Sequence, residues 1–312
     1  MSVWMMPGQG AQKVGMGADL LRVPEVLKAF ESAQAATGID VVYLAQQGSE
    51  AEINDALNSQ LLTAAISVGV ADALRARGFA PDAVVGFSLG EISGLMVAGM
   101  LSHEEGFALL NERSRALASA CKETAGAMVA LLGATHEDAQ GVCDVCAEGD
   151  TLVCANYNAP GQVVLSGDVA AIERAEAYWK EAGKRAARLR TAGAFHSPLM
   201  QSASDRMRTF ASKLTFTANG LCPLICNTDA KPFVASEAAD RLARQIVSPV
   251  LFEQSIAGLA SKGESTFVEV GFGGVLTNLV KRIDRKATRI KIGSYEEWEQ
   301  ALETLVPHSN EA

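Results

Sequence analysis

Ser88 stands in the pentapeptide Gly86-Phe-Ser-Leu-Gly90, a G-x-S-x-G pattern that can turn a strand sharply into a helix. A serine on such a turn projects its hydroxyl above a sheet. The start of the following helix places free N–H groups and a partial positive charge beside it. That is a setting for nucleophilic attack on a carbonyl. The pattern alone is a weak signal, and its surroundings strengthen it. Ala83-Val-Val85 before it reads as a buried strand, and Ile92-Ser-Gly-Leu-Met-Val-Ala98 after it as a helix.

A serine hydroxyl needs a base, and histidine is the usual one. The chain has four. His103 opens a helix-like run beside two glutamates, His136 sits in the polar run Thr135-His-Glu-Asp138, and His308 lies in the tail. These three read as surface residues. His196, in Ala194-Phe-His-Ser-Pro198, falls where the pattern of the chain changes, and such junctions form clefts. Elimination points to His196 as the base.

An arginine supplies the next clue. In the helix-like run from about 103 to 121, Arg113 has Leu109, Leu110, Ala116 and Leu117 three and four residues away, so it faces inward. Arg115 has Asn111, Glu112, Ala118 and Ser119 at those spacings and faces water. An inward arginine needs an anion. Helix geometry leaves two candidates open: a buried ion pair with a distant Asp or Glu, or a substrate carboxylate held by both guanidinium arms.

The elements that must position these groups follow from the pattern. Val3-Trp-Met-Met6 reads as a buried strand ending in the loop Pro7-Gly-Gln-Gly-Ala-Gln12, and helices are predicted at about 24–37 and 60–77, the second closed by Gly78. Strand, tight turn and helix in this order predict a mostly parallel sheet covered by helices. From about 126 the character changes. Ala127–Leu132, Leu152–Tyr157, Gln162–Ser166 and 185–190 read as strands, with helices at 136–147 and 169–183, a β-α-β-β-α-β order that is ferredoxin-like. β/α character resumes at Leu224-Ile-Cys226 and Phe267-Val-Glu-Val270, so the middle unit reads as an insertion. The expected organisation is a catalytic domain over 1–125 and 193–312 with a subdomain over 126–192. Pro307 to Ala312 are expected to fray.

Composition excludes several classes. The 312 residues are 48% apolar, enough for a substantial core, and the net charge of −9 argues against nucleic acid as the main partner. No apolar run is expected to approach a membrane span, and the N-terminus lacks the basic and apolar regions of a secretion signal, so the cytoplasm is the expected compartment. Cys143-x-x-Cys146 and Cys222-x-x-x-Cys226 complete no zinc spacing, and the six cysteines read as reduced, mostly buried thiols with no metal. Two basic clusters stand out, at Lys184, Arg185, Arg188 and Arg190 and at Lys281, Arg282, Arg285, Lys286, Arg289 and Lys291. They are solvated faces or a place for an acidic partner to dock.

Taken together, Pro7-Gly-Gln-Gly-Ala-Gln12, Gly86-Phe-Ser-Leu-Gly-Glu91, Arg113 and Ala194-Phe-His-Ser-Pro-Leu-Met200 resemble a set found, in this order, in malonyl-CoA:acyl carrier protein transacylases. Asn156-Tyr-Asn-Ala-Pro-Gly-Gln162, Arg244-Gln-Ile-Val-Ser-Pro-Val250 and Glu269-Val-Gly-Phe-Gly-Gly-Val-Leu276 extend the resemblance over nearly the whole chain. It implies an α/β-hydrolase-like parallel-sheet domain carrying a ferredoxin-like subdomain. It implies that Ser88 is the nucleophile, His196 its base, and the N–H groups of Gln9 and Leu89 the oxyanion hole. Arg113 would bind the malonyl carboxylate, the main-chain carbonyl of Gln245 would orient His196, and Asn158 would line the pocket. The implied reaction is ping-pong transfer of malonyl from coenzyme A to the phosphopantetheine thiol of acyl carrier protein, without a cofactor, by a monomer serving fatty-acid synthesis.

Two segments depart from the family pattern. Phe87 stands where histidine is usual, and the glycine-rich segment has Phe272 and Gly274 where proline and lysine are usual. Phe195, by contrast, follows the malonyl-selective members, while methylmalonyl-selective relatives often carry serine there. Three alternatives stay open at this stage. One is a serine thioesterase or esterase with the same elbow, another a carrier-binding module without activity. The third is the same chemistry in polyketide assembly or malonate decarboxylation.

Overall fold

The computed structural model describes residues 2–305. β1 (Ser2–Met6) and β2 (Ala83–Gly86) pair in parallel, and neither needs polar alternation because both faces of each are covered. The two faces of β1 enter different cores. Trp4 and Met6 pack with Phe30, Leu61 and Phe107, while Val3 and Met5 pack with Phe252, Phe267 and Leu276.

The remaining strands are β3 (Ala127–Leu132), β4 (Leu152–Ala159), β5 (Gln162–Gly167), β6 (Arg185–Arg188), β7 (Leu224–Ile225), β8 (Thr266–Val270) and β9 (Thr288–Ile292). The main sheet runs β7-β2-β1-β8-β9 with every pairing parallel. The strand order reverses between β1 and β8, which leaves a crevice at the carboxyl edge beside β2, where open parallel sheets hold ligands. The second sheet runs β4-β5-β3-β6 with every pairing antiparallel, the ferredoxin-like order. Helices His136–Cys146 and Val169–Glu181 cover one face, where Val142, Ile172 and Trp179 meet Val129, Leu131 and Leu165. The opposite face carries a small cluster of Met128, Ala130, Ala155 and Val164.

β4 ties the second sheet to the chain at Val250, between its two register shifts. Tyr157 N–H donates to the Val250 carbonyl at 3.0 Å, and Val250 N–H donates to that of Ala155 at 2.9 Å. Arg282 reaches the carbonyl of Pro160 at 2.7 Å and the Gln162 side chain at 2.8 Å. Part of the second basic cluster therefore holds the fold together. In the first, Arg188 pairs with Glu173 and Lys184 with Asp138.

Three features correct the sequence reading. β9 was hidden because its charges belong to a sheet edge, where lysine and arginine discourage further pairing. Two short helices, Val41–Gln47 and Glu50–Asn54, capped by Asp40 and Ser49, are too short to show a helical period in the sequence. The helix Ala56–Ala76 is long and apolar enough to cross a membrane by length and composition, although no such run was expected. Ser59, Gln60, Thr63 and Ser67 interrupt its apolar pattern, and all four are buried. Of its most apolar window, 83% lies inside the protein, which is the behaviour of a core helix. All six cysteines are free, with the Sγ atoms of Cys143 and Cys154 4.0 Å apart. His308 and the terminal run expected to fray lie outside the described residues.

Candidate active site

β2 ends at Gly86, and the helix Gly90–Val97 starts four residues later with all eight of its residues buried. The chain can turn this tightly only with glycine at both ends. A Cβ on Gly86 would sit 2.2 Å from the Glu91 nitrogen, and one on Gly90 would sit 2.1 Å from the Met6 carbonyl oxygen. Between them Ser88 adopts φ +54°, a left-handed conformation that costs a non-glycine residue about 1–2 kcal/mol. His196 adopts φ +59°. The two strained residues face each other.

Ser88 Oγ lies 2.8 Å from His196 Nε2, and His196 Nδ1 lies 2.9 Å from the Gln245 carbonyl oxygen. A carbonyl can only accept, so Nδ1 carries the proton and Nε2 presents its lone pair to the serine hydroxyl. None of the ion pairs among the described residues includes His196. Burial, followed by the charge of Arg113, lowers its pKa to about 4, so the imidazole is neutral at pH 7.

Arg113, on the inner face of His103–Glu123, donates from one Nη to Ser88 Oγ at 3.0 Å and from the other to Gln60 Oε1 at 3.0 Å. Among the described residues its Nε has no hydrogen-bond partner, and no ion pair includes it. Burial lowers its pKa to about 10, against the charge of Glu91, so it remains a cation. The distant ion pair left open by helix geometry is thus not formed by direct contact. A buried cation points at the serine hydroxyl with donor capacity to spare.

Gln9 follows the end of β1. Its side chain donates to Ser59 Oγ at 2.9 Å and accepts from Gln60 Nε2 at 3.5 Å, which fixes the loop beside the elbow. Leu89 caps the helix start, and the Gly90 and Glu91 N–H groups close back on the carbonyls of Phe87 and Ser88. Gln245 acts twice: besides its carbonyl on His196, its side chain donates to the Ser88 carbonyl at 2.7 Å.

The other candidates lie further out. Asn158, on β4, is buried with Oδ1 unpartnered, and it makes no hydrogen bond to Ser88, His196 or Arg113. Phe87 turns to the core beneath, edge-on to Phe252 with ring centroids 5.5 Å apart. Phe195 is partly buried and packs against both the main core and the Met128 cluster. His136 is exposed, 3.0 Å from Glu253, and His103 lies 3.5 Å from Asp72.

Sequence reasoning missed three residues here. Gln60 holds Arg113, Asn227 contacts the Ser88 turn, and Glu91 is fully buried, with its pKa raised by burial to about 7. Gln60 was detectable as a polar residue on an apolar helix. Asn227 was detectable as a polar residue just beyond a parallel strand.

Comparison with known proteins gives the family of the chain. The chain is 35% identical over 315 residues to the malonyl CoA-acyl carrier protein transacylase of Bacillus subtilis, covering 99% of this chain and 98% of the relative. It is 38% identical over 285 residues to that of Escherichia coli K12, covering 90% and 92%. A crystal structure of malonyl-CoA:acyl carrier protein transacylase from Xanthomonas oryzae superposes with a TM-score of 0.93 at 33% identity, covering 98% of each chain. A malonyl-transacylase in complex with a type II polyketide acyl-carrier protein gives a TM-score of 0.93 at 32% identity, covering 97% of this chain and 99% of the other. Residues 3–302 match the acyl transferase domain, and with relatives this similar over nearly their full length the chain belongs to the acyl transferase family.

Proposed function

We propose that the protein transfers the malonyl group of malonyl-CoA to the phosphopantetheine thiol of acyl carrier protein through a malonyl ester on Ser88. The observation that carries this reading is the convergence of His196 Nε2 and an unpaired Arg113 on one hydroxyl, at 2.8 and 3.0 Å. His196 takes the hydroxyl proton as Ser88 Oγ attacks the thioester carbonyl. The Gln9 and Leu89 N–H groups stabilise the oxyanion. Collapse expels the coenzyme A thiolate, which takes the proton from His196. The carrier thiol then gives its proton to the same nitrogen and attacks the ester, and Ser88 regains its hydrogen as leaving group.

Arg113 selects the acid. The carboxylate of malonate can take up the Nε that has no partner and displace the serine contact, so substrate binding frees the nucleophile. A general hydrolase has no use for such a cation. The cleft between the catalytic domain (1–125 and 193–312) and the subdomain (126–192) keeps water from the ester. Fatty-acid synthesis in the cytoplasm is the setting that six free thiols and the bacterial relatives support.

Intact-mass measurement after mixing with malonyl-CoA, followed by addition of carrier protein, tests the reading. A malonyl adduct on Ser88 that moves to the carrier is expected. Release of free malonate in place of transfer would make the protein a thioesterase.

A further inference from the structure

Asn227 directly follows the residue after β7, at the carboxyl edge of the main sheet, and is buried. Its side-chain amide spans the serine turn. Oδ1 accepts from the Ser88 N–H at 2.9 Å, and Nδ2 donates to the Gly86 carbonyl at 2.6 Å. One planar amide thus holds the backbone on both sides of residue 87. Asn227 is fixed in its turn, because its own N–H donates to the carboxylate of Glu91 in the first turn of the helix Gly90–Val97. The Gln245 side chain, 3.5 Å from Asn227 Oδ1, closes the ring through the Ser88 carbonyl.

This grip answers a need. A residue at positive φ persists only where its surroundings over-determine it. Ser88, at φ +54°, has both its N–H and its carbonyl held by side chains that lie 139 and 157 residues away in sequence. Without them the turn could relax, and Oγ would leave the line to His196 Nε2.

We propose that Asn227, anchored by Glu91, is a positioning residue that clamps the Ser88 turn in its reactive conformation. The inference rests on Ser88 being the nucleophile. The test compares native protein, Asn227→Ala and Asn227→Asp in single-turnover acylation by malonyl-CoA, read by intact mass from pH 5 to pH 8. Affinity for malonyl-CoA is measured in the Ser88→Ala background. Asn227→Ala should acylate about 10²-fold more slowly with affinity unchanged, the scale of loss for a misplaced reacting group. Asn227→Asp differs from the native residue by one group, so it keeps the test alive if the alanine variant does not fold. In that variant an ionised carboxylate cannot donate to the Gly86 carbonyl, but a protonated carboxyl can. Its deficit at pH 8 should therefore shrink by roughly tenfold toward pH 5. Native rates in both variants, or an aspartate deficit that ignores pH, would overturn the clamp. A native protein that takes no malonyl on Ser88 would overturn the nucleophile assignment and this inference with it.

Discussion

Arg113 donates to the hydroxyl of Ser88 at 3.0 Å across twenty-five residues of sequence, on an oxygen that also lies 2.8 Å from His196. In the free protein the guanidinium therefore occupies the nucleophile it is proposed to serve. The serine oxygen accepts from Arg113 and donates to His196, so its lone pairs are partly engaged until a carboxylate draws the arginine away. Arg113→Ala should lower kcat/KM for malonyl-CoA by about 10²-fold, since a desolvated charge-assisted pair is worth about 2–4 kcal/mol. Acetyl-CoA, which offers no carboxylate, should react as well or better. Equal losses with both thioesters would make Arg113 structural.

Ser88→Ala should form no malonyl adduct and slow transfer by several orders of magnitude, as removal of a serine nucleophile does elsewhere. Intact mass of the variant after exposure to malonyl-CoA checks this directly. An adduct that persists would move the nucleophile to another residue.

The depressed pKa of His196 predicts an unusual acid limb. Burial and the Arg113 charge bring it to about 4, so the base stays neutral where an ordinary histidine would be protonated. Acylation should hold its rate from pH 8 down to about pH 5 and fall near pH 4. Stability follows the same sign. Below pH 6.5 the unfolded chain takes up a proton that buried His196 refuses, so the native state loses ground until pH falls through 4. A kinetic limb near pH 6.5 would mean that the imidazole is more hydrated than its burial indicates.

Glu91 pulls the other way. Burial raises its pKa to about 7, against the Asn227 N–H and the charge of Arg113, with Asp229 and Arg241 adding smaller opposing effects. Its raised value contributes stability that is fully present below the ordinary carboxyl pKa of 4.5 and is lost as pH rises through 7. Glu91→Gln keeps an acceptor for the Asn227 N–H and removes the titration. The melting temperature of native protein relative to this variant should therefore fall between about pH 5 and pH 8. A difference that stays level would mean that Glu91 is ionised throughout.

How far this site could be read from the sequence depends on the range of each contact. The elbow was legible because Gly86, Ser88 and Gly90 act within five residues, and their glycines answer a local steric demand. Arg113 was legible as an inward residue because helix periodicity reports its own neighbours, yet periodicity could not name what it meets. Gln60 and Asn227 contact Arg113 and Ser88 across 53 and 139 residues, and no local pattern carries such a contact. The ferredoxin-like unit appeared in the sequence because its elements follow one another in the order β-α-β-β-α-β. β9 did not: Arg289-Ile-Lys-Ile292 keeps the alternation of a strand, but its charges continue the basic run that begins at Lys281.

Phe195 and Phe87 separate two ways of choosing an acyl group. Phe195 packs between the main core and the second sheet, one residue before the base, so its ring can wall the cleft near the acyl α-carbon. Phe87 lies one residue before the nucleophile, but its ring is edge-on to Phe252 in the core beneath the turn. Native protein should therefore use methylmalonyl-CoA poorly. Phe195→Ser should admit the extra methyl and shift the malonyl to methylmalonyl ratio of kcat/KM by about 1–3 kcal/mol, the range for one methyl in a shaped pocket. Phe87→His replaces an apolar ring in a packed core with a polar one. Its main effect should be a lower melting temperature, with the ratio nearly unchanged. Measuring the ratio in all three proteins decides the matter. If Phe87→His moves it more than Phe195→Ser, then the selector is the residue before the serine, and the ring against Phe252 is shaping the turn that presents the nucleophile.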